Sequence, residues 1–227
     1  MRPFVFINVA VTADGKMDTF ERTGAGISSA VDKSRVLGLR AGADAVLVGG
    51  HTLLDEDPKL TVKTAQLREE RLSKGSAENP IKVGIVTRAD LNPFGNFMSA
   101  GPARRVIFTT AQTTPEQVSL LSGLGAEVYV HAEAQVNLPL ALDTLYELGV
   151  RRLMVEGGGT LNFELLRQAL VDELFIYQSP RIFGGSSSPT LASGAGLPES
   201  LAINLTLVDV SVLDDEGGLQ VHYRLKN

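Results

Sequence analysis

The residues best suited to chemistry fall in three clusters. In Met154-Val155-Glu156-Gly157-Gly158-Gly159-Thr160-Leu161-Asn162, three glycines lie between an apolar run and a helical pattern. Glycine lets a backbone approach a ligand closely, and a helix start offers free N–H groups and a positive dipole end. A diphosphate is the natural occupant of such a turn; the alternative is a tight strand-to-helix connection with no ligand. The pattern is neither the Walker sequence nor Gly-x-Gly-x-x-Gly. Glu156 ends the preceding strand, on the edge where open α/β sheets bind ligands. It is either a polar contact to a substrate hydroxyl or ring nitrogen, or a solvated carboxylate.

The second cluster runs from Gly42 to Lys63. A buried strand ends in Gly49-Gly50 and leads through His51-Thr52-Leu53-Leu54 into Asp55-Glu56-Asp57-Pro58, then Lys59-Leu60-Thr61-Val62-Lys63. The acidic trio either caps turns or binds ribose hydroxyls. Arg40 either complements the end of its helix or joins Lys63 in a basic pocket for a phosphate monoester. The third cluster is Asn8–Lys16, where Asp14-Gly15 is a turn signal and Lys16 is a solvated turn residue or a ligand contact. His51, His131 and His222 read as surface or internally satisfied residues rather than catalytic bases.

Alternating strands and helices must position these clusters. The strand expectations are Phe4–Val11, Ala45–Val48, Lys82–Thr87, Arg105–Thr109, Glu127–Val130, Arg152–Val155 and Glu173–Gln178. Two more, Leu205–Val212 and Leu219–Leu225, are joined by Asp214-Asp215-Glu216-Gly217-Gly218, which predicts an antiparallel hairpin. The helix expectations are Ala30–Arg40, Pro115–Ser122, Pro139–Leu148 and Leu161–Ala169. Ser29 with Asp32 resembles a capping box, and Thr114 caps a helix with Pro115 in its first turn. Gln66–Pro80, charged and rich in Ser and Gly, reads as an exposed excursion. The alternation predicts an α/β fold with a mainly parallel sheet in one domain, residues 1–227.

Composition narrows the chemistry. Lys+Arg total 21 against Asp+Glu 26, a net charge of -5, whereas a general nucleic-acid binder carries a basic excess. With no cysteine, disulfides, thiolate catalysis, iron–sulfur clusters and Cys-ligated zinc are excluded. Zinc deaminases of nucleobases need such ligands, so neither zinc nor deamination is expected. The three histidines show no metal spacing, and no metal site is predicted. The Phe4–Val11 run, broken by Asn8 and followed by Asp14-Gly15-Lys16, reads as a buried strand rather than a signal peptide. No stretch reaches the roughly 18 apolar residues of a membrane span, so a soluble cytoplasmic protein is expected.

Taken in order, the motifs resemble the reductases of riboflavin biosynthesis, both the reductase half of the bifunctional deaminase–reductase and its stand-alone archaeal and fungal relatives. They are Asp14-Gly15-Lys16; Leu39-Arg40 with Asp44-Ala45-Val46-Leu47-Val48-Gly49; Thr52-Leu53-Leu54 with Asp57-Pro58 and Leu60-Thr61-Val62; Glu156-Gly157-Gly158; and Pro180-Arg181-Ile182-Phe183-Gly184-Gly185. The resemblance runs from about residue 3 to about 225. It implies a dihydrofolate-reductase-like three-layer sandwich, a homodimer, and NADPH-dependent reduction of a ribosylamino-pyrimidine 5′-phosphate to the ribitylamino form. It places Ala10, Thr52, Glu56, Thr87, Arg88, Gly157, Gly158, Gly159, Thr160 and Leu161 at the cofactor. Ser28, Arg40, Leu60, Lys63 and Glu156 fall at the substrate. Asp14, Lys16 and Glu156 are candidates for an acid that helps open the ribose to an imine. Three positions depart from the family pattern: Glu56 stands where Asp is frequent, Lys63 where Arg is frequent, and Gly26 where an aromatic is frequent. Another reductase substrate, such as a pterin, and a non-catalytic NADPH-binding module are the competing readings.

Overall fold

The structure is a computed structural model and describes residues 1–226. The chain divides into two compact units. The first comprises Met1–Phe4 and Leu37–Met154; the second comprises Val5–Val36 and the chain from Val155 onward.

In the first unit the strands run in the order β5-β4-β3-β2-β6. These are β2 (Ala45–Gly49), β3 (Ile81–Ile85), β4 (Arg105–Thr110), β5 (Ala126–His131) and β6 (Arg152–Val155). The pairs β2–β3, β3–β4 and β4–β5 are parallel, with Gly49 opposite Ile85 and Ile85 opposite Phe108. Every residue of β2 is buried. Its continuous Ala-Val-Leu-Val run is what a parallel strand covered on both faces requires. Helix α5 (Leu138–Glu147) buries Ala141, Leu142 and Leu145, one stripe of a 3.6-residue period.

In the second unit the order is β1-β7-β9-β8. Strand β1 (Phe4–Thr12) pairs in parallel with β7 (Glu173–Ser179), so Thr12 lies opposite Ser179 and both strands end on the same edge. Strands β8 (Leu205–Val212) and β9 (Leu219–Leu225) form the expected antiparallel hairpin, and β9 also runs antiparallel to β7. The fold is therefore α/β, mostly parallel, with antiparallel strands at its C-terminal end. Strand β8 is an outer strand in which Leu207, Val210 and Val212 are exposed.

All nine strands and the four long helices lie within a few residues of their sequence expectations. Helices α1 (Ala30–Ala41), α4 (Pro115–Gly123) and α6 (Gly159–Arg167) complete the set. Thr114 caps α4 by accepting the Gln117 N–H. At α1, Ser29 Oγ accepts the Asp32 N–H, but Asp32 spends its carboxylate on Arg35, whose Nε and Nη2 donate to it at 2.9 and 2.7 Å. Three elements differ from the sequence reading. Part of the expected excursion is helix α2 (Ala65–Ser73), a single turn forms α3 (Asn96–Ser99), and Thr52–Glu56 is a π-helical turn. Among the described residues no helix is long and apolar enough to cross a membrane.

Candidate functional site

In the first unit the candidate residues gather where β2 and β3 end. The π-helical turn carries Thr52 and Glu56 and lies over β3. A Cβ on Gly84 of β3 would stand 2.6 Å from Leu53 Cδ2, so Leu53 packs its side chain directly onto the bare backbone of this strand. Such turns are rare and concentrate at functional sites. Thr52 is buried and Glu56 exposed.

The chain then turns left-handed twice, at Asp57 (φ 45°) and at Leu60 (φ 49°), neither of them glycine. Leu60 is only 1% exposed, so what it can offer a ligand is its backbone rather than its side chain. Segment 61–63 is tied down from three directions. Arg40 Nη1 donates to the Thr61 carbonyl at 3.4 Å, Asn79 Oδ1 accepts the Val62 N–H at 2.9 Å, and Arg68 Nη1 donates to the Val62 and Lys63 carbonyls. Arg40, from α1, thus helps to brace the segment that carries the exposed Lys63.

Thr87 and Arg88 follow β3 and are exposed. The Thr87 carbonyl accepts from the hydroxyls of Thr110 (2.7 Å) and Thr109 (3.2 Å), and the Ala89 N–H donates to Thr113 Oγ1. This buried threonine group fixes the turn that presents Arg88, whose guanidinium pairs with Asp90 at 2.7 Å in an exposed contact.

In the second unit the Asp14 turn, the glycine turn and a long loop converge. Lys16 bridges Thr190, Met17 donates its N–H to the Pro189 carbonyl, and a Cβ on Gly157 would lie 3.8 Å from Met17 Cε. The three glycines have different tasks. Gly157 and Gly158 take φ of 105° and 33°, which side chains disfavour, whereas Gly159 is pressed against the Thr190 carbonyl, with Ser193 Oγ 2.7 Å from where a Cβ would stand. The first α6 hydrogen bond runs from the Asn162 N–H to the Gly158 carbonyl. The N–H groups of Gly159, Thr160 and Leu161 therefore have no partner within the helix. Gly158 is half-buried and Thr160 exposed, so this donor set fits an anion such as a diphosphate.

Asp14 is heavily committed. It accepts the Thr12 hydroxyl at 2.6 Å and the N–H groups of Phe183 and Gly184 at 3.2 and 2.7 Å. The Thr12 hydroxyl, with the two backbone donors adding to it, holds its carboxyl below the ordinary aspartate value. A general acid at neutral pH needs the opposite shift, so the geometry gives Asp14 the task of joining two loops. Glu156 is half-buried beside the glycine turn, and Ser28 and Ala10 are half-buried in the same unit.

Sequence reading missed Thr190 and Ser193, and gave no partner to Asn162, whose Nδ2 donates to the Leu191 carbonyl. It also missed Asp18, which accepts the N–H groups of Thr19, Gly24 and Ala25 and shapes the loop before Ser28. The repeated small residues of Ser186–Ser193 were the available signal.

A family model described as the RibD C-terminal domain matches residues 3–219. The chain belongs to this family. Two relatives are each named 2,5-diamino-6-ribosylamino-4(3H)-pyrimidinone 5′-phosphate reductase. That of Methanothermobacter thermautotrophicus is 38% identical over 228 residues, covering 100% of both chains. That of Archaeoglobus fulgidus is 42% identical over 194 residues, covering 86% of this chain and 88% of the relative. A solved pyrimidine reductase-like protein from Corynebacterium diphtheriae superposes with a TM-score of 0.86 at 19% identity, covering 99% of this chain and 92% of that one. This last likeness is one of fold.

Proposed function

We propose that this member of the RibD C-terminal domain family is an oxidoreductase, acting as one reductase domain on 2,5-diamino-6-ribosylamino-4(3H)-pyrimidinone 5′-phosphate. It converts the ribosylamino group to ribitylamino with NADPH as reductant. The observation that carries this reading is the end-to-end similarity to the Methanothermobacter reductase. The named substrate still has both amino groups, which favours reduction before deamination.

NADPH, when bound, supplies the hydride. The first turn of α6, from Gly157 to Leu161, would hold its diphosphate, and Arg88 on the threonine-braced turn would hold the 2′-phosphate. Ala10, Thr52 and Glu56 would line the rest of the cofactor. Arg40 and Lys63 would take the substrate 5′-phosphate, with the Leu60 backbone, Ser28 and Glu156 beside the sugar and base. Lysine at 63 contributes a point charge where arginine would give a two-pronged contact, so phosphate orientation falls more heavily on Arg40. Opening the ribose to an imine needs a proton at the ring oxygen. With Asp14 held ionised, Lys16 and Glu156 are the groups for that task.

The homodimer we infer uses β8. An outer strand carrying exposed Leu207, Val210 and Val212 calls for cover.

The test is NADPH consumption with the diaminopyrimidinone phosphate, its deaminated counterpart and dihydrofolate, with products identified by mass spectrometry. The reading expects a ribitylamino product carrying two added hydrogens, formed fastest from the diaminopyrimidinone. Turnover confined to dihydrofolate would move the chain to another substrate class, and NADPH binding without turnover would make it a sensor.

A further inference from the structure

The left-handed turn at Asp57–Leu60 is held by a device that lies far from it in sequence. Asp57 Oδ2 accepts the Asn96 N–H at 2.6 Å, and Oδ1 accepts the Phe97 N–H at 2.8 Å. The carboxylate thereby caps the start of α3. That single turn is too short to persist alone, and its other end is gripped from the core. Lys82 of β3, 1% exposed, donates through Nζ to the carbonyls of Phe97 (3.0 Å) and Ala100 (2.6 Å), while Arg105 of β4 donates to the Met98 carbonyl. So α3 is pinned to two central strands, and Asp57 is pinned to α3.

The packing leaves no slack. A Cβ on Gly95 would stand 2.6 Å from Asp57 Oδ2, so the residue before the helix has to be glycine for the carboxylate to seat. Two non-glycine residues, Asp57 and Leu60, sit in the left-handed region, which side chains disfavour. Such conformations persist only where their surroundings over-determine them. The two charge-assisted bonds from α3 meet that condition at Asp57.

We propose that Asp57 is a positioning residue: by binding the start of α3 it fixes the turn that presents Glu56 and the Leu60 backbone to the ligands. This rests on the proposed function for what Glu56 and Leu60 touch, but not for the clamp itself. Asp57 makes no contact with substrate or cofactor in this account and acts only through its neighbours.

The experiment uses the full chain and three variants, Asp57→Ala, Asp57→Asn and Gly95→Ala. Hydrogen exchange without ligand reads the clamp. NADPH dissociation constants and the KM for the pyrimidine phosphate read its consequence. In Asp57→Ala, exchange of the 56–61 amides should rise at least about tenfold, and kcat/KM should fall about tenfold to a hundredfold, the scale expected of a misplacement near 1 Å. Gly95→Ala, with Asp57 intact, should reproduce both effects. Asp57→Asn, which keeps one acceptor, should fall between Asp57→Ala and the wild type. These two variants decide the matter should Asp57→Ala not fold. Unchanged exchange at 56–61 in the variants overturns the clamp whatever the activity. Faster exchange or lower thermal stability with unchanged NADPH affinity, KM and kcat overturns the positioning role. A wild-type chain that neither binds nor oxidises NADPH contradicts the proposed function instead, and the exchange arm still tests the clamp.

Discussion

At Gly157 and Gly158 the backbone passes through positive φ on glycines; at Asp57 and Leu60 it does so on a carboxylate and a buried leucine. Both turns follow a buried strand, and both carry residues assigned to ligands. The glycine turn adopts its shape with little backbone penalty and is then pressed into place by the 189–193 loop. The Asp57–Leu60 turn is strained and depends on remote groups, Asn96, Phe97 and, behind them, Lys82 and Arg105. A glycine-built turn thus takes its shape without backbone strain, whereas a strained one is only as firm as its anchor. Substitutions at Lys82, Gly159 and Leu60 test this difference.

The largest effect is expected at Lys82. Burial, with Arg105 adding to it and Asp57 opposing it, pushes its ammonium down from the ordinary 10.5 to about 8. Because the folded pKa lies below the unfolded one, the unfolded chain binds more protons between pH 8 and pH 10.5. Stability due to this group therefore rises with pH across that window and is lowest below pH 8. At about 1.36 kcal/mol per pKa unit, the unfolding free energy of the wild type relative to Lys82→Met should gain on the order of 3 kcal/mol from pH 7.5 to about pH 10.5, by denaturant titration. A difference that stays flat or falls with pH would mean that Lys82 is not a buried ammonium and that α3 has another anchor.

Next in size is Gly159→Ala. The added methyl would meet the Thr190 carbonyl, a backbone atom that can yield only if the loop moves. Overpacking of this kind costs about 1–3 kcal/mol. Thermal stability should drop accordingly, and NADPH binding should weaken because the start of α6 shifts with the loop. Stability lost with NADPH affinity intact would separate the glycine turn from the cofactor.

The smallest effect is the most diagnostic of strain. Leu60→Ala and Leu60→Gly both remove a buried side chain and should destabilise. Glycine should nevertheless be the better of the two by about 1 kcal/mol, because only alanine retains the left-handed penalty. At an ordinary position the order would be reversed, since glycine gives the unfolded chain more freedom. Alanine proving the more stable would remove strain from the account of this turn.

The same contrast explains what could be read from the sequence. The glycine turn announces itself because glycine is the residue that such geometry selects. The buried strands, such as Ala45–Gly49, announce themselves by continuous apolar runs, and α5 by its 3.6-residue stripe. Asp57 was legible as one of an acidic trio and in the Asp57-Pro58 motif, but not as a clamp, because its partners lie 39 and 40 residues away. Helix α2 lacks an apolar stripe. It is fixed through polar groups instead, Arg71 reaching the Ala41 and Ala43 carbonyls and Arg68 those of Val62 and Lys63. Helix α3 is a single turn held by Lys82 and Arg105, and local propensity carries no trace of such long-range bonds. Asp14 shows the same gap. Its place in a turn was visible, but its engagement by Phe183 and Gly184 was not, and that engagement argues against a role as acid.

The proposed function turns on one event, the transfer of a hydride from NADPH to the sugar carbon bonded to the pyrimidine amino group. Single-turnover reaction of the purified chain with NADPH deuterated on the transferring face of the nicotinamide and the diaminopyrimidinone phosphate tests it most directly. One deuterium is expected at C1′ of the ribityl chain in the product. NADPH that binds and is recovered with its label, or a label that appears in the pyrimidine ring, would contradict it.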